Sequence, residues 1–138
     1  MIFAVSGRFD SDWAEAVCNV CDPVFTAADV GFTRQVQVGN GRDDVGSLLW
    51  EADPGRFAAR YPDSGIVESY GRENWAGVHC IDYWVLVDHD ARQARLSLKS
   101  WSLPDEVLDL TADGVRDGRV IGNAVARILR VAPPQPGL

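Results

Sequence analysis

A chain of 138 residues, 46% hydrophobic and 24% charged, is large enough to bury a core without disulfides or a structural metal. Its net charge of −7 argues against binding nucleic acid or anionic membranes, which both depend on Lys and Arg contacts. Three cysteines, an odd number, exclude a complete disulfide framework and point to a reducing, cytoplasmic setting.

Ile2 to Val5 reads as a short buried strand ended by Ser6-Gly7, too short for a signal peptide or a membrane span. Asp10 to Cys21 reads as a helix. Asp12 and Glu15 resemble a capping box, and Pro23 is expected to close the far end. Trp13, Val17, Val20 and Cys21 recur at helical spacing and should face a sheet.

Phe32, Arg34, Val36 and Val38 alternate with Thr33, Gln35 and Gln37, the pattern of a half-exposed strand. The turn signal Gly39-Asn40-Gly41 leads to a partner strand over Ser47 to Glu51. Asp53-Pro54 starts a short helix, with Asp as N-cap, Phe57 and Tyr61 on the inner face, and Pro62 as its stop. Gly65 to Tyr70 reads as a further strand, followed by a loop from Gly71 to Gly77.

Val78 to Trp101 predicts a long β-hairpin, and its register follows from chemistry. Pairing Asp88 with Gln93 across a four-residue loop sets Val85 opposite Leu96 and Tyr83 opposite Leu98. It also sets Asp82 opposite Lys99 and Cys80 opposite Trp101. A slip of one residue would turn every side chain to the wrong face. Ile81, Tyr83, Val85, Val87, Leu96 and Leu98 then form a core face. The other face carries Trp84, Leu86 and Trp101 among Asp82, Arg95, Ser97 and Lys99, and is too apolar to be plain solvent surface, so either a helix or loop covers it or it binds something.

Beyond the hairpin, Pro104 begins a short helical turn with Val107, Leu108 and Leu110. Asp113-Gly114 and Asp117-Gly118 read as loop punctuation. A last helix follows, with Val120, Ile121, Ala124, Val125, Ile128 and Leu129 in one stripe and Arg119, Asn123, Arg127 and Arg130 in another. The whole predicts an α+β domain over residues 1–131, with a Pro-rich flexible tail over 132–138. Its sheet should be mainly antiparallel and centred on the hairpin, with the N- and C-terminal helices on one face.

No sequence motif defines an activity. Cys18 and Cys21 form a CxxC pair, but beside Asp22 at the expected helix C-terminus nothing would stabilise a thiolate. His79 and Cys80, the only nearby ligands, point to opposite faces of a strand, so neither a metal nor another cofactor is expected. The glycine-rich segment from Gly39 carries Asp43 and Asp44, which would repel a phosphate. The segment from Asp109 to Gly114 lacks the acidic third position of a calcium loop, and Val120 stands where its bidentate Glu should be.

Two features point to interaction instead. Asp105, Glu106, Asp109, Asp113 and Asp117 form an acidic patch if they face outward, and Trp75, Trp84 and Trp101 are aromatics in polar surroundings, as binding anchors are. These suggest a non-catalytic binding protein for a basic protein partner, of which an inhibitor, immunity protein or antitoxin is a concrete version. The alternative is a small enzyme or small-molecule-binding domain with a pocket lined by His79, Glu68 and Glu73. A homodimer through the Trp84/Trp101 face is compatible with either.

Overall fold

In the computed structural model, the structure describes residues 2–8, 11–38, 45–64, 83–88, 90–98, 104–110 and 114–133. These form a six-stranded sheet and three helices. The strands are β1 (Ile2–Arg8), β2 (Phe32–Val38), β3 (Val45–Ala52), β4 (Tyr83–Asp88), β5 (Gln93–Leu98) and β6 (Glu106–Asp109). The helices are α1 (Ser11–Ala28), α2 (Pro54–Arg60) and α3 (Gly114–Leu129), with a 3-10 turn at Pro62–Ser64 after α2. This is an α+β architecture.

The strand order is β2-β3-β1-β4-β5-β6. Every neighbouring pair is antiparallel except β1 with β4, which run parallel. The apolar run of β1 therefore sits inside the sheet, with Ile2, Phe3, Ala4 and Val5 all buried. Phe3 lies level with Trp50 on one side and Tyr83 on the other, and its ring meets both, at 6.4 and 5.6 Å between centroids. Val5 is level with Leu48 and Val85 in the next row.

All three helices lie on the face that carries Phe3. Phe25 of α1 packs edge-on against Phe3 and stacks on Trp50 at 5.3 Å. Phe57 of α2 meets Tyr83, which shares that face with Phe3. From α3, Arg127 reaches Glu106, which is level with Leu96 on the same side. No described helix lies on the opposite face.

The hairpin register is the one the alternation predicts, with Asp88 opposite Gln93, Val85 opposite Leu96 and Tyr83 opposite Leu98. The Asp88 carboxylate shapes the loop by accepting from the amides of Asp90 and Ala91, at 3.0 and 2.9 Å. The predicted extensions over 78–82 and 99–101 lie outside the described residues, as does the expected strand over 65–70. The N-cap of α2 is also as predicted, with Asp53 Oδ1 accepting from the Arg56 amide at 2.8 Å and Pro54 opening the helix.

Three expectations are corrected. First, α1 continues past Pro23 to Ala28. An interior proline costs a helix about 3 kcal/mol, but Val24, Phe25 and Ala28 beyond it are all buried in the core. Packing overrides the local penalty. Second, the segment after Pro104 is not a helical turn but the edge strand β6, whose backbone is drawn into register by β5. Leu108 alone of its side chains is buried.

Third, α3 begins at Gly114, so Asp117-Gly118 lies inside a helix rather than in a loop. Gly118 is there because α1 and α3 pack tightly together. A Cβ at this position would stand 3.0 Å from the Ala16 carbonyl oxygen and 3.3 Å from the Val17 Cα. At its other end α3 closes with Arg130 at φ 56, a left-handed residue whose amide bonds to Arg127, while the Val131 amide reaches back to Ala126.

That end is fastened to α2. The buried Tyr61 hydroxyl donates to the Leu129 carbonyl at 2.5 Å, supplying one of the partners a helix C-terminus lacks. Arg130 pairs with Asp63 and lies over the Tyr61 ring, 6.0 Å from its centroid. The helix-crossing account predicts that Gly118→Leu lowers unfolding stability by about 1–3 kcal/mol through overpacking, measured by urea denaturation. A substitution that leaves stability unchanged would mean that the helices do not cross this closely.

Candidate interaction surface

On the face away from the helices, Ile2, Ala4 and Ser6 of β1 are buried, and the part open among the described residues lies over β4, β5 and β6, where it is built by alternation. Residues 86 and 88 of β4 point away from the helices, as do 93, 95 and 97 of β5 and 107 and 109 of β6. Leu86 is level with Arg95, and Arg95 with Val107, so these three make one row across three strands. Leu86 is 43% exposed and Val107 58% exposed, two of the three large apolar side chains so exposed among the described residues. The next row is Asp88, Gln93 and Asp109, all exposed. Asp90 adds a further carboxylate at the hairpin loop. The surface is a small apolar centre with a cation in its midst and an acidic margin.

The predicted acidic patch does not assemble as a set. Asp105 and Asp109 are exposed, as expected. Glu106 is exposed too, but it faces the helices, and both its carboxylate oxygens lie 2.6 Å from Arg127 Nη2. Its charge is matched within the fold. Asp117 is corrected outright, since it is only 5% exposed on α3. Asp113 lies outside the described residues.

Of the aromatic candidates, Trp84 lies on β4 with its backbone level with Ala4 and Ser97. Trp75 and Trp101 lie outside the described residues. So do His79, Glu68 and Glu73, the proposed pocket.

Sequence reasoning left Asp88 and Asp90 out of the acidic set, placing Asp88 only by its pairing with Gln93. The signal was available in part, because the hairpin register already set Asp88 beside Gln93. Only the strand character of residues 106–109 brings Asp109 alongside.

Cys18 and Cys21 lie in the middle of α1, not at its C-terminal end, and both are buried free thiols. Burial pushes the Cys18 thiol up, opposed by the neighbouring Arg34 guanidinium. Burial pushes Cys21 up further, reinforced by Cys18 and Asp22. Burial disfavours the thiolate of each in the folded protein. No group of three or more metal-ligating side chains occurs among the described residues.

Asp22, which follows Cys21, is structural. Its carboxylate accepts from Trp50 Nε1 at 2.8 Å and from Arg34 Nε at 3.1 Å, tying α1 to β3 and β2. At the far corner, the Arg130 hydrogen bond holds the Asp63 carboxyl below the usual carboxylate range.

No protein-family model matches the chain, and no significant match is found among curated proteins or solved structures. No described helix is long and apolar enough to cross a membrane.

The thiol environment gives a direct expectation. Peptide mapping after iodoacetamide treatment at neutral pH should find Cys18 and Cys21 unmodified until the protein unfolds. A thiol with a raised folded-state pKa stabilises the fold below its ordinary value of 9.0, and that contribution is lost as pH rises above it. Stability should therefore fall on the alkaline side, and less so in Cys21→Ala. Rapid labelling of Cys21 in the native state would contradict the buried placement.

Proposed function

We propose that this chain is a non-catalytic binding protein that docks a basic protein partner on the open face of β4, β5 and β6. An inhibitor or immunity-type protein that masks a basic effector in the cytoplasm is the concrete form of this reading. The observation that carries it is the exposed row Leu86–Arg95–Val107, apolar at both ends, with Asp88 and Asp109 in the row beside it.

Binding interfaces combine a few apolar anchors with a charged rim, and the rim sets partner choice and association rate. The acidic margin here calls for Lys or Arg around an apolar patch on the partner. The chain's net charge of −7 favours the same partner at long range. Buried free cysteines suit a reducing compartment.

The test is comparative capture from cell extract, using the wild-type chain and the double variant Leu86→Asp/Val107→Asp as baits. A partner held by the wild-type protein should be lost from the variant, since anchor positions cost about 2 kcal/mol or more when removed. Asp88→Arg/Asp109→Arg should slow association and remove most of its dependence on ionic strength. Equal capture by all three baits, each folded by circular dichroism, would exclude this face.

A further inference from the structure

The two edges of the sheet are treated differently. β6 has only four residues, follows Pro104, and carries Glu106 and Asp109. Short length, proline and charge are the devices by which proteins protect a strand edge from pairing with another chain. β2 at the other edge has seven residues, no proline, no lysine and no bulge, since it pairs one-to-one with β3 from Phe32–Ala52 to Val38–Gly46. Its single charge, Arg34, is already matched by Asp22. Val36 on this edge is 46% exposed although it faces the helix side of the sheet.

We propose that β2 is a homodimer interface, pairing antiparallel with β2 of a second copy to make one continuous sheet. The occupant is argued from self-complementarity. A two-fold axis through Gln35 sets Gln35 opposite Gln35, Thr33 opposite Gln37, and Arg34 opposite Val36. No like charges stand directly opposite, and the two Arg34 side chains, which lie diagonal to each other, are each matched by Asp22 of their own copy. Thr33 with Gln37 can hydrogen-bond on the open side. On the helix side Val36 packs against the aliphatic stem of the second copy's Arg34 and lies diagonal to the second Val36.

Charge distribution favours the same pairing. The carboxylates Asp88, Asp90, Asp105 and Asp109 sit around β4, β5 and β6. β6 is five strands from β2, roughly 24 Å away at the usual strand spacing. Joining two copies at β2 keeps those acidic ends at opposite extremes of the sheet, beyond the reach of screened repulsion at physiological salt. It also leaves both open faces of β4, β5 and β6 available, so the dimer is bivalent for whatever that face binds.

The experiment is sedimentation velocity and light scattering on the full chain from micromolar to near-millimolar concentration. Wild type is expected to be dimeric. Gln35→Lys and Gln35→Glu, changes at an exposed position, each set like charges opposite one another and should weaken the dimer roughly tenfold or more. Mixing the two variants should restore it as a heterodimer. Leu86→Asp should remain dimeric, which separates this interface from the partner-binding face. A wild-type monomer at all concentrations, a Gln35→Lys dimer of unchanged strength, or a mixture that stays monomeric would each overturn the proposal.

Discussion

The parallel pairing of β1 with β4 is the joint on which this fold depends. Without it the sheet is two antiparallel modules, β2-β3-β1 and β4-β5-β6, each with an exposed edge. The joint is made by side chains as much as by backbone. Phe3 lies between Trp50 and Tyr83, and Val5 between Leu48 and Val85, so two rows of apolar groups run unbroken across it. Phe25 and Phe57 descend onto the same rows from α1 and α2. The core is thus continuous from one module to the other, and the helices have a single surface to cover. Burying side chains of this size contributes about 1.5–3 kcal/mol each, enough to outweigh an interior proline in α1.

Covering one face determines what the other can do. The carboxylates near the C-terminal half divide by the side of the backbone they leave from. Glu106 and Asp117 turn toward the helices, where one meets Arg127 and the other is buried on α3. Asp88 and Asp109 turn away and lie in the row beside exposed Leu86, Arg95 and Val107. Acidic composition alone does not make a binding surface. The alternation of two strands decides which acids can belong to one.

Much of the fold was legible in the sequence because period and punctuation agreed locally. The β4/β5 register followed from alternation, since a one-residue slip would have put Val85 and Leu96 in solvent. The start of α2 followed from Asp53-Pro54. What was not legible involved contacts distant in sequence. Pro23 looks like a stop until Phe25 is seen stacked on Trp50. Gly118 looks like a turn until α1 is seen crossing beside it. The segment Glu-Val-Leu-Asp at 106–109 has an ambiguous period over four residues, and only pairing with β5 makes it a strand. The candidate site shared that fate, since Asp109 joins Asp88 only across β5, whereas Asp117 was wrongly grouped with it by nearness in sequence.

The account rests on a sheet whose helix-bearing face is covered and whose other face is open over β4, β5 and β6. Hydroxyl-radical footprinting of the intact protein, read residue by residue, tests this most directly. Val107 and Leu108 are neighbours on β6 but point to opposite faces, and Leu86 and Leu96 contrast in the same way across β4 and β5. The account predicts rapid oxidation of Leu86 and Val107, with Leu96 and Leu108 protected until the protein unfolds. Protection of Leu86 and Val107 equal to that of Leu96 and Leu108 in the isolated chain would mean the face is already covered, and would contradict it.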